Sequence, residues 1–259
     1  MSVIGDVHGV SKLTVSRCVN QVMRCILHNL SNYVQFPMSA EEQQRVKYEL
    51  YDIKEFPLVL GAVDGTLIPI KAPSVDEDLN VSRKGYHAIN IQCVCDANYM
   101  VRDIVAKWPG ATHDAHIWNN CKLAKAFEDG SIKGAWLLGG SGYALKPWLL
   151  TPILSPTTRA ERKYNKAHKS TRCIIERTYG IWKMRFRCLH RGLTLTPKRS
   201  LDVTVAPAGL HNVCKKNIPF EYDETEEDEE DLKLPQGQID SDEGGRLRDQ
   251  LVQNVFTFQ

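Results

Sequence analysis

The chain has 259 residues and a mass of 29.3 kDa, with 42% hydrophobic and 25% charged residues, a composition typical of one main globular domain with an additional segment. Its apolar runs, such as residues 58–63, are shorter than the roughly 18–20 residues of a membrane span, and the N-terminus lacks a basic-then-apolar signal pattern. A membrane or secretory protein is therefore not expected. The eight cysteines include no CxxC pair, which favours reduced thiols over a disulfide framework.

The net charge of +2 hides a strong asymmetry along the chain. Residues 159–200 contain 13 Lys or Arg and two acids, whereas residues 221–259 contain three basic and 13 acidic residues. A basic block of this size suits a phosphate backbone, because each neutralised phosphate releases counterions. The acidic segment suits solvent, a basic partner or the chain's own basic face. Both segments are also compatible with ordinary solvated surface.

The first 55 residues are predicted to form a helical segment. Residues 11–30 carry apolar side chains at spacings of three and four, with Ser11 as the N-cap, and residues 41–53 form a second helix. Residues 5–17 look like the turn and second helix of a helix-turn-helix, whose first helix is expected to be missing. A packing helix and a DNA-reading helix both remain open.

Residues 56–217 are predicted to form the main domain. A buried strand at 58–63 ends at Asp64, and further strands are expected at 66–71, 88–95, 99–108 and 135–138, with a helix at 115–128. An acid at the end of a buried strand is a candidate site residue. Strands first, followed by alternating strand and helix, predict an α/β fold with a mixed sheet and helices packed against it.

The helix that follows a loop rich in Pro and Thr carries the strongest pattern in the chain. Its apolar residues recur at steps of three and four, and a second stripe a quarter-turn away consists of Lys169, Arg172, Lys183 and Arg187, with Glu176 inside it. Glu176 has two interpretations: an ion pair with Arg172 at i−4, or a metal ligand beside a phosphate-binding rim.

The C-terminal part is predicted in two pieces. A helix over residues 200–216 contains Pro207, which removes a backbone hydrogen bond and predicts a kinked or split element. Residues 218–259, with nine acids among residues 221–231, are predicted to be an acidic and largely disordered tail with a short helix near residues 247–256.

Seven motifs occur in an order that resembles the PIF/Harbinger DDE transposases, and more closely the animal Harbinger transposase-derived nucleases. In this sequence they are GAVDGT at 61–66, RKGYHAIN at 83–90, WPGATHD at 108–114, WLLG with SGY at 136–143, YNKAH at 164–168, IERTYG at 175–180 and LHN at 210–212. The resemblance covers about residues 56–214.

This resemblance implies an RNase H-like core with a mixed five-stranded sheet and three carboxylates at one edge. It also implies metal-dependent hydrolysis of DNA phosphodiester bonds, with Asp64 and Glu176 as catalytic residues and ligands of Mg²⁺ or Mn²⁺. Two-metal hydrolysis needs hard oxygen ligands, because one metal activates the attacking water and the other stabilises the leaving oxygen.

The sequence departs from the family at the second acid, where Gly140 stands in place of Asp. Losing one carboxylate removes a negative charge from a site that must balance two divalent cations, so we expect weak or absent hydrolysis. Asp114 is the candidate substitute ligand. The alternative function is a catalytically silent DNA- or protein-binding module, and a third interpretation is a structural scaffold.

The expected DNA-phosphate contacts come from Lys169, Arg172, Lys183, Arg187 and Arg191. DNA as substrate implies residence in the nucleus, with the cytoplasm as a second compartment. The family resemblance also implies a Myb-like DNA-binding protein as a partner.

Overall fold

The structure is a computed structural model that describes residues 2–74, 77–217 and 240–257. In these ranges the strands are β1 (Val59–Pro69), β2 (Ala88–Cys95), β3 (Val101–Pro109), β4 (Trp136–Gly139) and β5 (Leu149–Leu150). The helices are α1 (Ser2–His8), α2 (Lys12–His28), α3 (Ala40–Lys54), α4 (Asp114–Asn119), α5 (Lys122–Glu128), α6 (Arg159–Arg185), α7 (Cys188–Arg191), α8 (Pro197–Asn217) and α9 (Asp242–Val255).

The five strands form one mixed sheet in the order β3-β2-β1-β4-β5. The pairs β1–β2 and β2–β3 are antiparallel, whereas β4 runs parallel to β1 and β5 runs parallel to β4. Helices pack against this sheet, so the predicted α/β fold with a mixed five-stranded, RNase H-like sheet is confirmed. The register places Val63 opposite Gly139, which brings the ends of β1 and β4 together around Asp64.

Strand β1 is longer than the sequence pattern predicts. We expected a strand end at Asp64 and a new strand from Thr66, but β1 continues unbroken from Val59 to Pro69, and Asp64 lies inside it opposite Cys93. The Asp-Gly pair is not a turn here. A Cβ at Gly65 would lie 2.2 Å from Asp114 Oδ1, so glycine allows a close approach rather than a chain reversal.

Helix α6 is the main helix of the core. A capping box begins it: Thr158 Oγ1 accepts from the backbone N–H of Glu161, and the Glu161 carboxylate accepts from the backbone N–H of Thr158. Of its predicted apolar stripe, Phe186 is the C-cap and only partly buried, and the buried members are Ile175, Tyr179, Trp182 and, in α7, Leu189. This packing fixes the direction in which the polar residues of α6 approach β1.

Two predicted helices differ in detail. The helix expected at 115–128 is broken at Asn120 and Cys121, where the Cys121 sulfur caps α5 by accepting from Ala124 N. Helix α8, by contrast, is one element with Pro207 inside it, so of the two predicted alternatives the split is wrong and the kink stays a prediction. Pro207 lies in a buried run with Ala206, Ala208 and Gly209, and this packing holds the helix together across the proline.

The N-terminal segment contains a helix that the sequence interpretation missed. Helix α1 precedes the turn at 9–11, and α2 begins after Ser11, whose side chain accepts from Thr14 N as predicted. The expectation of an absent first helix is therefore wrong. Helix α2 packs against α8, while α1 and α2 leave apolar side chains exposed, among them Val3, Val7 and Leu13.

The predicted tail falls into two parts. Residues 218–239 lie outside the described residues. Residues 240–257 contain α9, which confirms the predicted short helix and extends it towards the N-terminus. Leu251, Val252 and Phe256 are buried, and the Phe256 ring packs on Phe56 and Tyr164, so this end of the chain is part of the core.

All eight cysteines are free thiols, as expected from their spacing. Among the described residues, no helix has both the length and the apolar character that crossing a bilayer requires.

Candidate functional site

The site is built around Asp64 on the central strand. Its Oδ1 accepts from the backbone N–H of Gly65 at 2.9 Å. Its backbone carbonyl accepts from the Tyr179 hydroxyl at 2.7 Å, and the same hydroxyl accepts from Cys93 N at 3.1 Å. Tyr179 therefore joins α6 to β1 and β2 at the level of Asp64 and holds this part of the strand in place.

Gly140 lies beside Asp64 at the carboxyl end of β4. Because Val63 pairs with Gly139 in parallel strands, the next residues of the two strands, Asp64 and Gly140, are neighbours. A Cβ at Gly140 would meet Nη1 of Arg172 at 3.9 Å, an ordinary contact distance. The position of the second acid thus has room for a side chain, and that side chain would face a guanidinium group.

Arg172 joins the two expected metal ligands directly. Its Nη1 donates to Asp64 Oδ2 at 3.1 Å, and its Nη2 donates to Glu176 Oε1 at 2.5 Å. The Arg172 side chain is 5% exposed, against 19% for Asp64 and 41% for Glu176. The i,i+4 pair with Glu176 is one of the two sequence interpretations, and it is confirmed; the bridge to Asp64 spans 108 positions and was not predicted.

Asp114 is close to this site but is held separately. Its Oδ1 accepts from Asn90 Nδ2 at 2.8 Å, and its carboxylate packs against Gly65 on β1. Asp114 and Asp64 both act on the buried Tyr143, where burial first and these negative charges second raise the pKa of the phenol. Tyr143 donates to Gln92 Oε1 at 3.2 Å, so this buried tyrosine is joined to strand β2.

The donor set does not fit the metal centre that the family resemblance implies. Across the part of the chain that the structure describes, no group of three or more His, Cys, Asp or Glu side chains could hold a metal ion, and this includes any group formed with Asp114. The guanidinium of Arg172 stands between Asp64 and Glu176, where a cation shared by both carboxylates would stand. Two carboxylates and one arginine leave a local charge of about −1, far from what two divalent cations require.

The residues expected to contact phosphates divide into two sets. Lys169, Arg187 and Arg191 are exposed, as phosphate contacts require. Arg172 is buried between two carboxylates, so the structure does not place it on that surface, because its guanidinium neutralises Asp64 and Glu176 instead.

Lys183 is half-buried beside strand β1. Its Nζ donates to Thr66 Oγ1 at 2.7 Å and to the Leu67 carbonyl at 3.3 Å, just past Asp64 along the strand. Burial, and secondly the charge of Lys84, lower the pKa of Lys183 to about 8. Lys183 is therefore a cation held at the edge of the site without full solvation.

Sequence reasoning missed two tyrosines and one glutamine that support the site. Tyr179 was assigned to the apolar stripe, and Tyr143 and Gln92 were given no role. For the two tyrosines the available signal was the phenol group, since a buried hydroxyl needs a hydrogen-bond partner, and Gln92 is the partner of Tyr143.

Comparison with known proteins places this site in a family. The family model for DDE superfamily endonucleases matches residues 63–212, from the start of the acid site to α8. The chain belongs to the DDE superfamily endonuclease family. The predicted resemblance to Harbinger-derived nucleases is also confirmed by the relatives of this family member.

A rat protein named "Putative nuclease HARBI1" is 37% identical over 213 residues, which cover 81% of this chain and 61% of the rat protein. The mouse protein of the same name is 33% identical over 265 residues, covering 98% of this chain and 75% of the mouse protein. "Protein ALP1-like" of Arabidopsis thaliana is 26% identical over 230 residues, covering 82% of this chain and 56% of that protein. The chain thus spans about three fifths of the length of the rat relative. No solved structure matches the chain significantly.

Proposed function

We propose that this member of the DDE endonuclease family binds the DNA backbone and does not hydrolyse it. The observation that carries the proposal is the Asp64–Arg172–Glu176 bridge beside Gly140. DNA as the ligand is supported by the family and by relatives named as nucleases. The two parts of the proposal, binding and loss of hydrolysis, rest on different residues and are tested separately.

The loss of hydrolysis follows from charge and ligand number. Asp64 already accepts from Gly65 N through one oxygen and from Arg172 through the other. A metal at this position would have to displace a guanidinium that is 5% exposed and would then find no carboxylate at position 140. Hydrolysis by two metals requires ligands that hold both ions, which this chain lacks at Gly140.

Backbone binding is supported by the cations along α6 and α7. Lys169, Arg187 and Arg191 are exposed, and Lys183 lies between them beside β1. Helix α7, which ends in Arg191, packs on β1, so Arg191 and Lys183 both lie near the strand that carries Asp64. Lysine and arginine side chains that neutralise phosphates bind DNA without reading its sequence, and their contribution falls with salt.

The test is binding of a fluorescently labelled DNA duplex, measured by anisotropy at a series of salt concentrations with EDTA and then with Mn²⁺. We expect salt-sensitive binding that does not require the metal. The variant Arg187→Gln/Arg191→Gln should reduce the slope of log affinity against log salt by about 2, close to 0.9 for each lost phosphate contact.

The matched control is Lys54→Gln/Lys216→Gln, which removes two exposed cations at the opposite end of the sheet. This control should retain the unmodified slope. No binding at low salt would contradict the proposal and leave the structural scaffold as the better interpretation. Binding only with Mn²⁺ would contradict it in favour of the metal-dependent nuclease.

Two further predictions accompany this function and stay predictions. Residence in the nucleus is checked by imaging the tagged full chain in cells. A Myb-like DNA-binding partner, which would supply sequence specificity, is checked by co-purification followed by binding with the isolated partner.

A further inference from the structure

The sequence motif at residues 83–90 has no role in the function proposed so far, and its first two residues occupy an unusual turn. Ser82 N donates to the Tyr86 carbonyl and Gly85 N donates to the Ser82 carbonyl, both at 2.9 Å. Gly85 has φ +77°, which favours glycine, and Ser82 is buried. Two exposed cations, Arg83 and Lys84, thus occupy the central positions of a well-fixed turn.

The turn at 82–86 borders the acid site through a small cavity. The cavity has a volume of about 60 Å³, and its lining includes Arg83, Gly65, Asn90, Asp114 and Gly142. Pockets that hold a whole small-molecule ligand usually measure at least about 300 Å³, so this one is too small for a nucleoside. The Asp114 carboxylate disfavours an anion inside the cavity, so the better match is a single anionic group outside it, at the part of the rim that Arg83 forms.

Lys183 supplies a third cation on the same side of β1. Its Nζ is bound to Thr66 and Leu67, and Leu67 also lines the cavity. Lys84 is close enough to Lys183 to disfavour its charged form, and no carboxylate of the described residues forms an ion pair with either lysine. Like charges held together in a folded chain are relieved by an anion between them.

We propose that Arg83, Lys84 and Lys183 bind one backbone phosphate of a DNA strand beside the acid site. This inference rests on the proposed function, because it adds a defined contact to the same DNA. The proposal gives the direction in which DNA crosses the protein. A DNA strand that contacts Arg187 and Arg191 would continue along β1 past Lys183 to the turn at 82–86.

The experiment compares the full chain with Arg83→Gln/Lys84→Gln and with the control Lys54→Gln/Lys216→Gln. The readout is anisotropy of the labelled duplex over a salt series, and thermal unfolding checks that each variant is folded. We expect the turn variant to lose about tenfold in affinity and about 1 in salt slope, as the loss of one phosphate contact requires, while the control retains both. Because Arg83 and Lys84 are exposed, the melting temperature should be unchanged.

A second variant, Lys183→Gln, tests the half-buried lysine of the proposed phosphate site. In combination with Arg83→Gln/Lys84→Gln it should add little further loss, because the three cations share one phosphate. Full additivity of the losses would contradict a shared phosphate. Thermal unfolding with inorganic phosphate tests whether the site binds the free anion rather than DNA. If inorganic phosphate stabilises the chain with the same affinity as the duplex binds, the proposal is overturned.

The failure of this inference differs from the failure of the proposed function. If the unmodified chain binds the duplex and the turn variant binds as well as the control, the phosphate site is wrong and DNA binding stands. If the unmodified chain does not bind the duplex at low salt, the proposed function is wrong.

Discussion

Among the described residues, two arginines that are at most 15% exposed, Arg102 and Arg172, each connect two carboxylates, in different surroundings. Arg102 donates to Asp96 at 2.6 Å and to Glu42 at 3.2 Å, at the turn between β2 and β3. Asp96 is fully buried and also accepts from the backbone N–H groups of Asn98 and Met100. Its carboxylate is thus enclosed by its own turn.

The Arg172 bridge is more open. Here the arginine is the most buried member, and the two acids are 19% and 41% exposed, next to a glycine that leaves room for a side chain. The difference indicates that the cluster of Asp96, Arg102 and Glu42 stabilises the turn. The cluster of Asp64, Arg172 and Glu176 is a partly exposed site in which an arginine of the chain is the cation. The predictions below test this distinction, in order of decreasing effect.

The largest expected effect is loss of stability on removing the enclosed carboxylate. Asp96→Ala should lower the free energy of unfolding by about 3–5 kcal/mol, because it leaves two turn N–H groups without their acceptor and leaves Arg102 with Glu42 alone. Asp64→Ala should cost about half as much, since Asp64 is 19% exposed whereas Asp96 is fully buried, and in both variants the arginine retains a second carboxylate. Urea unfolding of both variants measures the difference, and equal losses would show that the two clusters are structurally alike.

The next effect concerns Arg172, the cation that bridges Asp64 and Glu176. Arg172→Gln leaves Asp64 and Glu176 without their shared positive charge, so Mn²⁺ should stabilise this variant. At about 100 times the dissociation constant, the gain is about 2.7 kcal/mol, or about 5–10 °C in melting temperature. Thermal unfolding with and without Mn²⁺ tests this. The unmodified chain and Arg102→Gln should not respond, and an equal response from all three would contradict the role of Arg172.

A smaller effect is a pH dependence confined to the open site. Lys183 has a pKa lowered to about 8 by burial and by Lys84, so it is charged below that pH and loses its charge above it. DNA affinity should therefore fall a few-fold as the pH rises from about 7 to about 9. Anisotropy titrations at several pH values measure the fall, which Lys183→Gln should abolish and Lys216→Gln should not.

The smallest expected effect is on the exposed end of the bridge. Glu176→Gln should change the free energy of unfolding by about 0.5 kcal/mol or less, because Glu176 is 41% exposed and its pair with Arg172 has i,i+4 spacing. Urea unfolding measures this change. A loss as large as that of Asp96→Ala would mean that Glu176 is part of the core.

The sequence was sufficient for the parts of the fold that periodicity determines. The apolar stripe predicts the helix that carries Glu176, the apolar run at residues 58–63 predicts the strand that carries Asp64, and the i,i+4 spacing indicates the Arg172–Glu176 pair. The motif order also identifies the family and the missing acid at Gly140.

The sequence was not sufficient for contacts between distant residues. The bond from Arg172 to Asp64 depends on how α6 crosses β1, and local spacing carries no information on that crossing. Gly65 suggested a strand end because a close approach by Asp114 leaves the same signal as a turn. Helix α9 was expected to lie in a disordered tail, because its burial depends on a surface formed by Phe56 and Tyr164, far away in the sequence.

Cleavage of supercoiled plasmid in Mn²⁺ distinguishes a silent site from an active one. The unmodified chain, Gly140→Asp, and Gly140→Asp combined with Glu176→Ala are compared at equal concentration. We expect no nicking by the unmodified chain and loss of activity in the double variant. Gly140→Asp should nick the plasmid, because a carboxylate beside Arg172 Nη1 can pair with the guanidinium and leave Asp64 and Glu176 to bind a metal ion. Nicking by the unmodified chain that Glu176→Ala abolishes would contradict the conclusion that Gly140 and Arg172 silence this site.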